Sequence, residues 1–128
     1  MKSNARTINF LPIINSHASV KNALAEMLAN KLNTELNHTN ASLSESCNFS
    51  ELIKSNLGVF ANLPAFENTR RLHFNFHGIT TEIIRLYQAR EVEKANELLH
   101  GRFEITSKNL RLELVLLSQQ YNKSLENK

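Results

Sequence analysis

The stretch His73-Phe74-Asn75-Phe76-His77 lies near the middle of the chain, and its first and last residues are histidines. On an α-helix, residues four apart project from the same face, one turn above another. Helix geometry would therefore hold the two imidazoles at a separation that suits one metal ion. The same spacing also fits two histidines that pack in a helical core. The stretch thus predicts a helix whose inner face carries either a metal-ligand pair or core histidines.

The composition of the 128-residue chain favours helices, because it has three glycines, two prolines and no tryptophan. Its length fits one domain with a core of its own, so we expect a single domain over residues 1–128. The net charge is +3 and the one contiguous basic pair is Arg70-Arg71. A nucleic-acid interface needs a denser basic patch, so no nucleic-acid partner is expected.

The predicted compartment is the cytoplasm. No apolar run approaches the ~20 residues of a membrane helix. The apolar patch from Ile8 to Ile14 is short and is interrupted by Asn9 and Pro12, which makes it a poor signal peptide. The chain has one cysteine, Cys47, which excludes an internal disulfide and fits a reducing environment.

A first helix is predicted from about Pro12 to Leu36. Proline suits the first turn, where its missing N–H costs nothing. His17 belongs to the apolar face of this helix and should point into the protein, either as a ligand or as a hydrogen-bonded core residue. The residues of this face recur every three to five positions: Ile13, His17, Val20, Leu24, Met27 (or Leu28) and Leu32.

A polar loop is predicted over residues 37–46, with His38 as a solvated loop residue. Cys47 then opens a short helix that should end near Leu57, with Gly58 as its C-cap. Backbone N–H groups at a helix start stabilise a thiolate, which is the form of cysteine that binds metal. A small buried apolar role for Cys47 is the alternative.

The third helix should begin with Asn62 as its N-cap and Pro64 in its first turn, and should continue to about Gln88. It contains the two histidines of the central stretch. Gly78 follows His77 directly. A glycine inside a helix costs about 1 kcal/mol relative to alanine, so we expect a neighbouring backbone to approach closely there.

A last helix is predicted from Glu91 to about Tyr121 after a tight turn. His100 lies beside its apolar stripe as a boundary residue, and the adjacent Gly101 is a point where the helix can bend. The stripe consists of Val92, Ala95, Leu99, Phe103, Thr106, Leu110, Leu114, Leu117 and Tyr121. A second apolar set, formed by Ile105, Leu112 and Leu116, lies off the stripe, and its simplest cover is a second protomer.

Three motifs together resemble the chemoreceptor zinc-binding family: His17-x-x-Val20, Cys47-x-Phe49 and His73-x-x-x-His77. The likeness extends over residues 5–121 and includes segments of the last two helices. Three residues depart from the family pattern: Val20 where an aromatic is usual, Ser50 where glycine is usual and Leu52 where tryptophan is frequent. By the family pattern these positions pack around the site and do not bind metal.

The resemblance implies an all-α fold, an antiparallel four-helix bundle with a short extra helix that carries the cysteine, usually as a homodimer. It further implies zinc bound by four ligands: His17, Cys47, His73 and His77. Mixed imidazole and thiolate donors suit zinc better than magnesium or calcium. A closed set of four ligands leaves no position for a reacting water, so the chain is expected to sense rather than catalyse. Relatives control chemotaxis or cyclic-di-GMP outputs and respond to zinc or to oxidants.

Three other interpretations were open. A di-iron site requires inward Glu-x-x-His pairs, and the pairs with that spacing, Glu35 with His38 and Glu97 with His100, lie off the apolar stripes. A His/Cys nucleophile pair would make an enzyme, but no third orienting group is evident. A metal-free helical interaction module with core histidines is the remaining alternative.

Overall fold

The computed structural model describes residues 9–30 and 47–126. The predicted polar loop, His38 and the predicted end of the first helix at Leu36 lie outside these residues. Within them the regular structure is entirely helical, which confirms the predicted all-α class. The helices are α1 (Leu11–Asn30), α2 (Asn48–Ser55), α3 (Leu57–Phe60), α4 (Phe66–Gln88), α5 (Val92–Leu98) and α6 (Glu104–Glu126).

The helix α4 runs antiparallel to the rod formed by α5 and α6. Near the start of α4, the Ala65 backbone N–H donates to Gln120 Oε1 at 2.8 Å. Further along α4, the rings of Phe76 and Phe103 lie 5.2 Å apart. Residue numbers rise along α4 as they fall along the rod, so the two elements point in opposite directions. Arg90 makes the reversal between them with a φ of 67°.

The helix α1 is also antiparallel to α6. At its start the Phe10 ring packs against Tyr121, with centroids 6.5 Å apart. Three turns later, Lys21 Nζ forms an ion pair with Glu104 Oε2 at 2.5 Å. This arrangement places α1 beside both long elements and agrees in part with the predicted antiparallel bundle.

The predicted stripe of the last helix forms the centre of the core. Seven of its members are buried: Ala95, Leu99, Phe103, Leu110, Leu114, Leu117 and Tyr121. Burying each large apolar side chain contributes about 1.5–3 kcal/mol. The second apolar set is exposed, at 62% for Ile105, 57% for Leu112 and 42% for Leu116. A second protomer on this face stays a prediction.

A π turn over Leu99–Phe103 joins α5 to α6. The buried residues Ala95, Leu99 and Phe103 are spaced four apart, and in a regular α-helix each step of four would rotate the side chain by about 40°. The wider π turn reduces this drift and keeps all three on the core side. Gly101 lies inside this π turn, and the bend predicted there stays a prediction.

Three predicted helix boundaries are wrong. The helix α6 continues to Glu126 rather than ending near Tyr121. The helix α2 ends at Ser55 with Asn56 as its C-cap, and Gly58 lies inside α3 rather than capping α2. The side-chain amide of Asn56 donates to the Leu52 carbonyl oxygen at 3.0 Å. Asn62 does not cap α4, because its amide donates to the Gly58 carbonyl at 3.2 Å. Ala65 occupies the N-cap position instead.

The close approach predicted at Gly78 is also wrong. A Cβ atom added there would meet nothing within 4 Å. His77 and Ile79 on either side are buried, whereas Gly78 faces outward between them. The glycine is thus not required by packing.

None of the helices in the described ranges combines the length and apolar character that crossing a bilayer requires.

Candidate metal centre

The four residues predicted as metal ligands lie together in the fold. His17, Cys47, His73 and His77 each offer one donor atom, and these atoms lie within 4.8 Å of one another. The three histidines are buried and the cysteine is half-buried. His100, by contrast, is 63% exposed and lies outside the cluster. Binding of a metal by these residues stays a prediction.

Three of the six donor-atom separations within the cluster are close to those of a tetrahedral zinc site. Cys47 Sγ lies 3.1 Å from His73 Nε2 and 3.6 Å from His17 Nε2. The Nε2 atoms of His73 and His77 are 3.1 Å apart. Bonds of about 2.0–2.3 Å at tetrahedral angles separate two nitrogens by about 3.3 Å, and sulfur from nitrogen by about 3.6 Å. These three separations thus lie within about 0.5 Å of the tetrahedral values, and all four donor atoms lie within 4.8 Å of one another.

Three helices supply the four side chains. The helix α4 contributes His73 and His77, which face the same side because they are one turn apart. His17 approaches from α1, and its ring lies 5.1 Å from that of His73 and 5.4 Å from that of His77. Cys47 occupies the extended N-cap position of α2 and makes no capping hydrogen bond with its side chain. Its sulfur faces the imidazoles instead.

A backbone carbonyl orients the first imidazole. His17 Nδ1 lies 2.8 Å from the carbonyl oxygen of Ile13, one turn earlier in α1. A carbonyl can only accept, so Nδ1 carries the proton and Nε2 keeps its lone pair. The lone pair points into the cluster, as in metal-bound histidines whose other nitrogen is hydrogen-bonded. The carbonyl has no signature in the sequence beyond its position four residues before His17.

Two buried phenylalanines pack against the imidazoles. The Phe49 ring lies 4.9 Å from that of His73, in an edge-on arrangement. Phe76 lies 5.2 Å from His17 and 5.3 Å from His77. Both phenylalanines are fully buried. Both residues stand within the sequence motifs, but helical periodicity does not predict that the Phe76 ring contacts two histidines on different helices.

The buried position keeps two of the imidazoles neutral, those of His17 and His73. Burial lowers the pKa of His17 to about 4, with His77 adding to the effect and the bond to Ile13 opposing it. The pKa of His73 falls to about 3, chiefly through burial and then through its neighbours His77 and His17. Both imidazoles are therefore uncharged at neutral pH, and each has one nitrogen with a lone pair that can bind metal.

Hydrogen bonds among the four side chains cannot use all of the close contacts between their donor atoms. His73 Nε2 lies 3.1 Å from both Cys47 Sγ and His77 Nε2, and one N–H can donate to only one of these partners. A single cation would interact with all four donors at once. Three imidazoles and one thiolate suit zinc, and no carboxylate from residues 9–30 or 47–126 belongs to the group. The residues thus fit a zinc ion.

The rival di-iron pattern does not converge in the described part of the chain. Glu97 is exposed on α5, and His100 is exposed within the π turn. Glu35 and His38 lie outside the described residues.

Comparisons with protein-family models, with curated proteins and with solved structures give no match for this chain. The chain is therefore described by its own features: the regular structure of its described residues is helical, and three buried histidines and one half-buried cysteine form a group that could hold a metal ion.

Proposed function

We propose that this chain is a zinc-binding sensory module of bacterial signalling. The convergence of four donor atoms from three helices carries the proposal. His17, Cys47, His73 and His77 would hold the ion, whose role would be to join the helices. The motif resemblance to the chemoreceptor zinc-binding family supports the same assignment.

A sensory role is favoured over catalysis by the number of protein ligands. Four side chains complete the tetrahedral shell that zinc prefers, and catalytic zinc sites retain an open position for water. An ion bound by four side chains would connect the helices that supply them and would have no free coordination position. We therefore propose a regulatory protein and not an enzyme.

Cys47 gives the module its sensitivity to oxidants. It is the only sulfur in the cluster, and a thiolate is oxidised far more readily than an imidazole. Once Cys47 is oxidised, three neutral imidazoles remain and hold metal less tightly. The connection between α1 and α4 through His17 then weakens. A reducing compartment such as the cytoplasm would preserve the thiol in the resting state.

The output is proposed to be a chemotaxis or cyclic-di-GMP signalling protein, by resemblance to the family. A homodimer is proposed to form through the exposed apolar face of α6. This face comprises Ile105, Leu112, Val115 and Leu116, all more than 40% exposed. Apolar residues on one side of a long helix are typical of a surface that a partner covers.

Metal content tests the proposal directly. Elemental mass spectrometry of protein purified without added metal should find about one zinc per chain. Cys47→Ala and His77→Ala should lower that ratio, while His100→Ala, which changes an exposed histidine outside the cluster, should leave it intact. Metal-free wild-type protein, with all three variants folded alike, would instead identify a metal-free helical interaction module.

A further inference from the structure

Ser50 stands three residues after Cys47, at the start of α2. A side chain at the third helical position can reach back to the N-cap residue, as the glutamate of a capping box does. Redox motifs of the Cys-x-x-Cys type use the same spacing at helix starts to place a second group beside a reactive thiolate. Here the second group is a hydroxyl.

The structure brings that hydroxyl to the sulfur. Ser50 Oγ lies 3.9 Å from Cys47 Sγ, within the range of a long hydrogen bond to sulfur. Both residues are half-buried. On its other sides the same sulfur contacts the Nε2 atoms of His17 and His73. Ser50 thus belongs to the immediate surroundings of the one sulfur in the cluster.

We propose that the Ser50 hydroxyl donates a hydrogen bond to the Cys47 thiolate in the zinc-loaded protein and thereby lowers its reactivity. The proposal rests on the zinc-binding function above. A hydrogen bond to a charged acceptor draws electron density from it and is stronger than a neutral one. A less electron-rich sulfur reacts more slowly with electrophiles. Ser50 is a positioning residue, since it acts on the metal site through Cys47.

Ser50→Ala tests this with a matched control on the same helix. Ser55→Ala removes the hydroxyl of an exposed serine at the other end of α2. Ser50→Thr keeps a hydroxyl at the position and should preserve wild-type behaviour. Circular dichroism and metal stoichiometry establish that each variant is folded and loaded.

Two readouts report on the sulfur itself. In protein loaded with Co²⁺, the sulfur-to-metal charge-transfer band should move to longer wavelength in Ser50→Ala, because the sulfur loses its donor. In zinc-loaded protein, iodoacetamide should alkylate Cys47 about three to ten times faster in Ser50→Ala than in wild type. Neither readout should change in Ser55→Ala.

A loaded Ser50→Ala protein with the wild-type band and alkylation rate would overturn the role of Ser50 and leave the zinc site standing. A wild-type protein that takes up neither Co²⁺ nor zinc would overturn the proposed function and this inference with it.

Discussion

The Nε2 atoms of His73 and His77 lie 3.1 Å apart on the buried face of α4. Two imidazole nitrogens at this distance can share one proton, but two N–H groups facing each other there would repel, and protonation of both nitrogens of both rings would place two cations in contact inside the protein. Burial adds to this cost because it disfavours any charged form. The cluster is therefore arranged for neutral imidazoles.

The free energy of unfolding of the metal-free protein should consequently decrease as the pH is lowered. Burial lowers the pKa of His17 from 6.5 to about 4, and that of His73 to about 3. As pH falls below 6.5, the unfolded chain takes up these protons before the folded protein does. The free energy of unfolding should decrease from there down to the folded pKa values, by up to about 1.4 kcal/mol per pH unit for each histidine.

Urea denaturation of metal-free protein at several pH values between neutral and about 4 measures this slope. His73→Asn should reduce it, and His100→Ala, on the surface, should not. A free energy of unfolding that stays constant over the range would contradict the buried, neutral state of these imidazoles.

Hydrogen peroxide should release zinc from the loaded wild-type protein. Oxidation of the Cys47 thiolate removes one of four donors and the only one with negative charge. A chromogenic zinc chelator would record the release, and a thiol reductant should restore binding as long as oxidation stops at the sulfenic acid. Cys47→Ser should bind zinc more weakly, and its remaining zinc should be indifferent to peroxide. Equal zinc release from wild type and Cys47→Ser would show that the response to peroxide does not depend on Cys47.

Phe76→Ala should destabilise the fold by about 3–5 kcal/mol, because it removes a fully buried ring. This ring contacts His17, His77 and Phe103, so its loss should loosen the cluster as well as the core. Phe74→Ala is the matched control: its ring is 68% exposed two residues earlier, and its loss should change stability by less than about 0.5 kcal/mol. Urea denaturation and zinc affinity measure the two effects. Equal stability of the two variants would argue against the packing described for Phe76.

Ile105→Asp combined with Leu112→Asp should prevent the proposed dimer. Two carboxylates on the exposed apolar face of α6 would be buried without partners in a dimer interface. Analytical ultracentrifugation should show the wild type as a dimer and the double variant as a monomer, with Asn75→Asp on α4 as a charge control. A monomeric wild type at all accessible concentrations would refute the dimer.

Much of this architecture was predictable because local rules determine it. The spacing of His73 and His77 places them on a common face of any helix. The apolar stripe from Ala95 to Tyr121 predicted which side of α5 and α6 is buried. His17 was predictable as an inward residue from its place on the apolar face of α1. The convergence of all four donors followed from the motif resemblance, since helical periodicity does not determine how helices are placed against each other.

The features that were missed depend on contacts that periodicity does not encode. Asn62 was expected to cap α4, but its amide bonds to Gly58 in the preceding turn. Gly78 was expected to allow close packing, although the space beside it is open. The π turn itself was not predicted, because a regular α-helix and a wider turn give similar spacings of apolar residues.

The metal cluster also bears on the unfolded chain. Its outermost members, His17 and His77, are separated by 60 positions (77 − 17). A bound ion would act as a reversible cross-link closing a loop of this length, which in the chain-entropy treatment of cross-links corresponds to about 4 kcal/mol. With a single cysteine, the chain has no internal disulfide available for this purpose. The metal centre would give the protein a cross-link that forms when the ion binds and is lost when the ion leaves.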